Sequence, residues 1–189
     1  MSVGLGLPLF IFLATPALAQ TPPQPTPAVL EAGLTGQWTG TLAYRDYQSD
    51  KMVELPMRAE YRSLDDGVTV LNIATFDDGP TTGNVIITTI ELFNPKAGTV
   101  DNVALRKGKP IDRESDKTSL VAYTDDLHWT VHFEHDGVDG KTKSKIRSVE
   151  TRDGDTLTVE EDVVPLVAKK KDWKMRNITH LTRTAIKAP

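Results

Sequence analysis

The sequence predicts an all-β fold, a single antiparallel up-and-down barrel of about ten strands with one short helical turn before it. Three observations carry that prediction. From Gly36 onward apolar residues recur with period two, Gly, Asp and Asn break the runs at short intervals, and no later stretch has a helical period. The clearest run is Val53, Leu55, Met57, Ala59 and Tyr61, alternating with Glu54, Pro56, Arg58, Glu60 and Arg62. That pattern gives a strand one buried and one wet face.

The elements follow in chain order. Residues 1–19 contain no charged side chain, run apolar from Val3 to Ala14 and end in Ala17-Leu18-Ala19. This reads as a secretory signal peptide cleaved before Gln20, so the expected localisation is secreted or periplasmic. The apolar run is shorter than the roughly 20 residues of a bilayer-spanning helix, and Pro8 and Pro16 interrupt it, so no transmembrane anchor is expected in the mature form. Residues 20–33 read as a Pro-rich linker, with four prolines in the eight residues from Thr21 to Ala28. Pro27 to Leu34 has room for one helical turn. The barrel domain is expected over 34–189.

Within that domain Trp38, Gly40, Leu42 and Tyr44 share one face of the first strand. After the run at 53–61, further strands are expected near 68–76, 85–93, 100–105, 119–124, 129–135, 143–151, 156–163 and 173–184. Asp65-Asp66-Gly67, Asp77-Asp78-Gly79, 94–98, Asp136-Gly137 and Asp153-Gly154 read as hairpin turns. A two-residue turn at Asp153-Gly154 places Arg147 opposite Glu160 and Lys145 opposite Asp162. The stripe Lys141, Lys143, Lys145 and Arg147 is then a solvated strand face rather than a polyanion site. A meander of ten strands leaves two edges unless it closes on itself, and closure gives a barrel wider than the eight-stranded kind that side chains just fill. The competing architecture is a two-sheet sandwich with the same turns, packed solid.

The segment Leu34-Thr35-Gly36-Gln37-Trp38-Thr39-Gly40 resembles the opening of calycin-like barrels, the group of lipocalins, fatty-acid-binding proteins and nitrobindin-like haem proteins. The resemblance implies that Gly36 and Trp38 close one barrel end with an arginine from a late strand, Arg183 or Arg176, stacked on the indole. It also implies an alternative reading in which a late-strand histidine, here His180, holds haem. The residues leave the facing of His180 open, since it alternates with Leu181 but shares a face with Ile178.

Charge and chemistry narrow the function. With 22 basic against 26 acidic side chains and a net charge of -4, the chain has no general attraction to nucleic acid. Zero cysteines exclude disulfides and thiolate metal sites. Neither Gly-x-Ser-x-Gly nor a phosphate-cradling glycine loop occurs, so no enzyme activity is expected. His128 and His132 share an outward face and lie about 13 Å apart along a strand, too far to share one ion, so no metal is expected. His135 falls instead on the face of Trp129, Val131 and Phe133. The paired aspartates sit in turns. Glu161, by contrast, shares an inward face with Leu157, Val159 and Val163, and a buried carboxylate needs a partner or a polar ligand; Glu91 is similar.

These readings converge on a secreted or periplasmic barrel that holds a small, largely apolar molecule without a cofactor. Its expected lining is Leu42, Tyr44, Val53, Leu55, Met57, Tyr61, Trp129, Val131 and Phe133, with Glu161 fixing orientation. The alternatives are the haem-binding barrel using His180 and a non-catalytic envelope interaction protein with a solid barrel or sandwich.

Overall fold

The computed structural model describes residues 24–184; the expected signal peptide and the first residues of the expected linker lie outside them. The described chain opens with α1 (Pro27–Ala32), followed by β1 (Gly36–Arg45), β2 (Met52–Ser63), β3 (Thr69–Asp77) and α2 (Gly79–Thr82). It continues through β4 (Asn84–Asn94), β5 (Thr99–Arg106), β6 (Asp112–Asp125), β7 (His128–Asp139), β8 (Thr142–Asp153), β9 (Thr156–Pro165) and β10 (Lys174–Arg183). The ten strands form a closed antiparallel barrel in which each pairs with its sequence neighbours and β1 pairs with β10. A two-sheet sandwich is therefore excluded. Among the described residues no helix is long and apolar enough to cross a membrane.

Closure is built at the β1–β10 seam, where Trp38 stands opposite Arg183 and Tyr44 opposite Asn177. Gly40 makes the seam possible. A β-carbon there would lie 1.8 Å from the carbonyl oxygen of His180, so only a residue without one lets the two backbones meet.

One end of the barrel is filled by α1. Ala28, Leu30 and Glu31 are buried in it, together with Leu34, Trp38, Val70, Val100, Trp129, Val131 and Leu157. Six residues cannot hold a helix by local propensity, so the packing and the clamp on its last turn must do so. Arg183 donates from Nη2 to the Gly33 carbonyl at 2.9 Å and from Nη1 to the Thr35 carbonyl at 2.8 Å, and Arg152 donates from Nη1 to the same Gly33 oxygen at 3.0 Å. Two guanidinium groups thus meet the C-cap carbonyl of Gly33, which the helix leaves free, and Arg183 also holds the chain beyond it at Thr35. Residues 27–32, within the segment read as a linker, form the expected helical turn and pack into the barrel.

Three local expectations are corrected. Asp136-Gly137 is not a turn: β7 runs on to Asp139, and the chain reverses at Gly140, whose φ is +62°. Gly137 serves inside the strand, where a β-carbon would lie 2.8 Å from Ile146 Cδ1. The β8–β9 turn is Gly154-Asp155, which moves the pairing by one position on each strand. Arg147 therefore faces Asp162, with Nη2 to Oδ2 at 2.7 Å, while Lys145 pairs with Asp136 at 2.8 Å. Finally, Asp77-Asp78-Gly79 leads into α2 rather than making a tight hairpin.

Candidate ligand site

Period two sends alternate residues of every strand into the barrel, and the closed end is filled by residues early in the odd-numbered strands, such as Trp38, Val70 and Leu157, and late in even-numbered ones, such as Tyr61 and Phe93. Beyond that packed layer the interior opens into a cavity of about 290 Å³. One part of its wall is apolar, from Met57, Ala74, Phe76, Phe133, Val159 and Leu181. The other part carries Glu91, Glu114, Asp116, Glu150 and Glu161, with Tyr61, Asn72, Asn102 and His135 among them. Five carboxylates and one imidazole inside a barrel are a large departure from an apolar ligand pocket.

The polar groups fall into two connected sets. In the first, Asp116 accepts from Asn102 Nδ2 at 2.6 Å and pairs with His135 Nδ1 at 2.6 Å, while His135 Nε2 lies 3.5 Å from Glu114. The bond to Asp116 and the neighbouring Glu114 carboxylate raise the His135 pKa from its ordinary value to about 10, so it is an imidazolium at neutral pH. In return His135 holds Glu114 below the usual carboxylate range. The second set joins the helix to the sheet. Glu31, only 1% exposed, lies beside Glu150, and two buried carboxyls side by side favour keeping a proton on one of them. Burial, followed by the charges of Glu150 and Glu91, pushes the Glu31 pKa well up. Burial and Glu91 lift Glu150 to about 8, against the influence of Glu31, and burial with the charge of Asp116 lifts Glu91 to about 7.

Four buried acceptors in this region have no protein donor, Glu31 Oε1, Glu150 Oε1, Asn72 Oδ1 and Asn102 Oδ1, and one donor, His135 Nε2, has no acceptor within hydrogen-bond distance. An unpaired buried acceptor costs on the order of 1–3 kcal/mol, so the wall is built to meet something that donates hydrogen bonds.

The expected lining residues separate into three groups. Met57, Tyr61, Phe133 and Glu161 line this cavity, and burial raises the Glu161 pKa against the bond from Asn177. Leu42, Tyr44 and Leu55 line a second space of about 310 Å³, which shares Phe76 with the first and also contains Val85, Ile87 and Arg106. Val53 lies beside them, opposite Tyr44, but lines neither space. Trp129 and Val131 are packed solid at the α1 end, because the helix fills the interior where they enter.

At the closing motif the arginine is Arg183, its guanidinium carbon 4.6 Å from the Trp38 ring centroid. Gly36, at φ +138°, leaves the space that Arg183 Nη1 occupies, and Trp38 Nε1 donates to the Leu34 carbonyl at 2.8 Å. Arg176 lies elsewhere, over the Tyr47 ring at 4.0 Å and 3.1 Å from Asp139. His180 is on the outer face beside Thr158, while its neighbours Thr179 and Leu181 point into the cavity. A histidine there cannot reach a haem inside the barrel. His135 does line the cavity, but its nitrogens face Asp116 and Glu114, so the interior does not fit an axial imidazole ligand.

The polar half of this site was only partly readable. Glu161 and Glu91 show themselves by parity on apolar strands, and His135 by sharing a face with Phe133. Glu114, Asp116 and Glu150 sit on strands whose inward residues are mostly polar, so alternation marks no inside for them, while Asn102 is a lone polar residue between Val100 and Ala104 on the inward face of β5.

Fold and cavity together define a class, closed ten-stranded antiparallel barrels with one capped end and an interior space. The crystal structure of Rv2717c from M. tuberculosis shares this fold, with a TM-score of 0.56 at 14% sequence identity over 85% of this chain and 99% of that one. No family model matches the chain, and no curated protein matches it.

Proposed function

We propose that this chain is a calycin-like binding protein that is exported and holds a small molecule within its barrel. One observation carries the reading: a closed sheet encloses about 290 Å³ whose wall includes buried polar atoms with no protein partner. Solid cores avoid such atoms, and binding sites use them to orient a guest. The split wall favours an amphipathic ligand, its apolar body on Phe76, Phe133 and Leu181 and its donors toward the carboxylates, rather than a largely apolar one. Residues 1–19 act as the export signal, and the mature secreted or periplasmic product begins at Gln20. No catalytic step and no cofactor form part of the proposal.

Mild purification followed by denaturation, extraction and mass spectrometry tests it. A near-stoichiometric small molecule is expected, and it should vanish in Val159→Trp, which fills the cavity. A folded wild-type protein that yields none, and that no member of a broad small-molecule library stabilises against heat, overturns the reading. Intact mass of the exported product checks the cleavage position.

A further inference from the structure

The ligand's chemistry can be taken further, resting on the reading that the cavity holds a small molecule. The charges of Glu91, Asp116 and Glu150 act on one another: Glu91 feels Asp116, and Glu150 feels Glu91. His135 supplies the cavity wall's single positive charge; its Nδ1 is bonded to Asp116, while its Nε2 lies 3.5 Å from Glu114 without a hydrogen-bond partner. Glu150, 8% exposed and on the cavity wall, keeps Oε1 without a protein donor, and the amide oxygens of Asn72 and Asn102 on the same wall also lack one. The wall therefore offers negative charge and lone pairs in excess of donors.

An anion is repelled by such a wall. Water or a neutral hydroxyl satisfies an acceptor but leaves Glu91 and Glu150 to be neutralised by protons, whereas a positive charge bearing N–H groups satisfies the acceptors and the carboxylate charge together. A bare metal ion is a poor match, because among the described residues no group of three or more Asp, Glu or His side chains is disposed to hold one. The volume corresponds to roughly ten water-sized atoms. We infer that the cavity is built for a small organic ammonium ion, its charged head set among Glu91, Asp116 and Glu150 and its hydrocarbon body against Phe76, Phe133 and Leu181. The burial that lifts Glu91 and Glu150 above the ordinary carboxylate range is what a cation beside them relieves.

Calorimetry on the mature protein at pH 7.5 with phenethylammonium, 2-phenylethanol and phenylacetate separates charge from shape, since the three share ring and chain. Phenethylammonium should bind. Its affinity should fall on the order of ten- to a hundredfold in Glu150→Gln and in Glu91→Gln, the loss of one charge-assisted contact. Either variant suffices if the other does not fold. Binding of 2-phenylethanol or phenylacetate as tightly as the amine overturns the cation while leaving the cavity reading intact. Binding of none of the three also overturns the cation, and the cavity reading falls with it only if extraction of the wild-type protein yields no small molecule.

Discussion

At the end where α1 enters, Leu34, Val131 and Leu157 are wholly buried and Trp38 stacks edge-on against Tyr61, with ring centroids 6.4 Å apart. On neighbouring strands, directly opposite Val70, Val100 and Val131, the inward positions are Glu91, Asp116 and Glu150, and together with Glu161 on β9 they surround space. One sheet supports both because the closed end supplies apolar burial and a clamped helix, which offset the cost of unpaired acceptors next to them. Glu31 joins the two regions: its helix packs the closed end while its carboxyl reaches Glu150.

The contrast can be broken most severely at the seam that both regions share. Gly40→Ala puts a methyl group into the His180 carbonyl, and because backbone must move, a loss of about 4 kcal/mol or more is expected. Little soluble protein, or a collapsed denaturant midpoint, is the readout.

A finer distinction is pH dependence. Glu91, raised to about 7, and Glu150, raised to about 8, bind more protons folded than unfolded. Their contribution is therefore fully present below the ordinary value of 4.5 and is lost as pH climbs through 7 and 8. His135, raised from 6.5 to about 10, acts in the same direction at higher pH. Glu114, Asp66 and Asp125 are held low, so they lose stability only below the carboxylate range, and His132, lowered by burial, opposes the trend. Denaturant midpoints should fall from pH 5 to pH 8, and the double variant Glu91→Gln, Glu150→Gln should flatten that slope. Leu30→Ala at the packed end should instead lower stability by about 2–5 kcal/mol evenly across the range. Equal slopes in all three proteins would contradict the division of the interior.

The smallest effect is expected outside the barrel altogether. His180→Ala, at an exposed outer-face position, should change stability by less than about 0.5 kcal/mol and leave ligand extraction unaffected.

The strands, their order and the inward faces of β1, β2 and β9 were legible because apolar and polar residues alternate there. The Gly36 and Trp38 opening was legible as a motif, but the choice of Arg183 over Arg176 for the indole was not and comes from the fold. The charged interior was not, since strand periodicity marks the inside only where the inside is apolar, and in β6 and β8 it holds Glu114, Asp116, Ser148 and Glu150. Glu31 was hidden for another reason: its segment is six residues long, and nothing local distinguishes a helical turn that plugs a barrel from one in a linker. Asp136-Gly137 misled because a dipeptide suited to turns was used for the room that glycine leaves beside Ile146.

Arg183 ties the last strand to Gly33 and Thr35, residues encoded 150 and 148 positions earlier. The clamp on the first helix therefore cannot form before residue 183 exists, so removing the residues from Lys174 onward should leave that helix without its anchor.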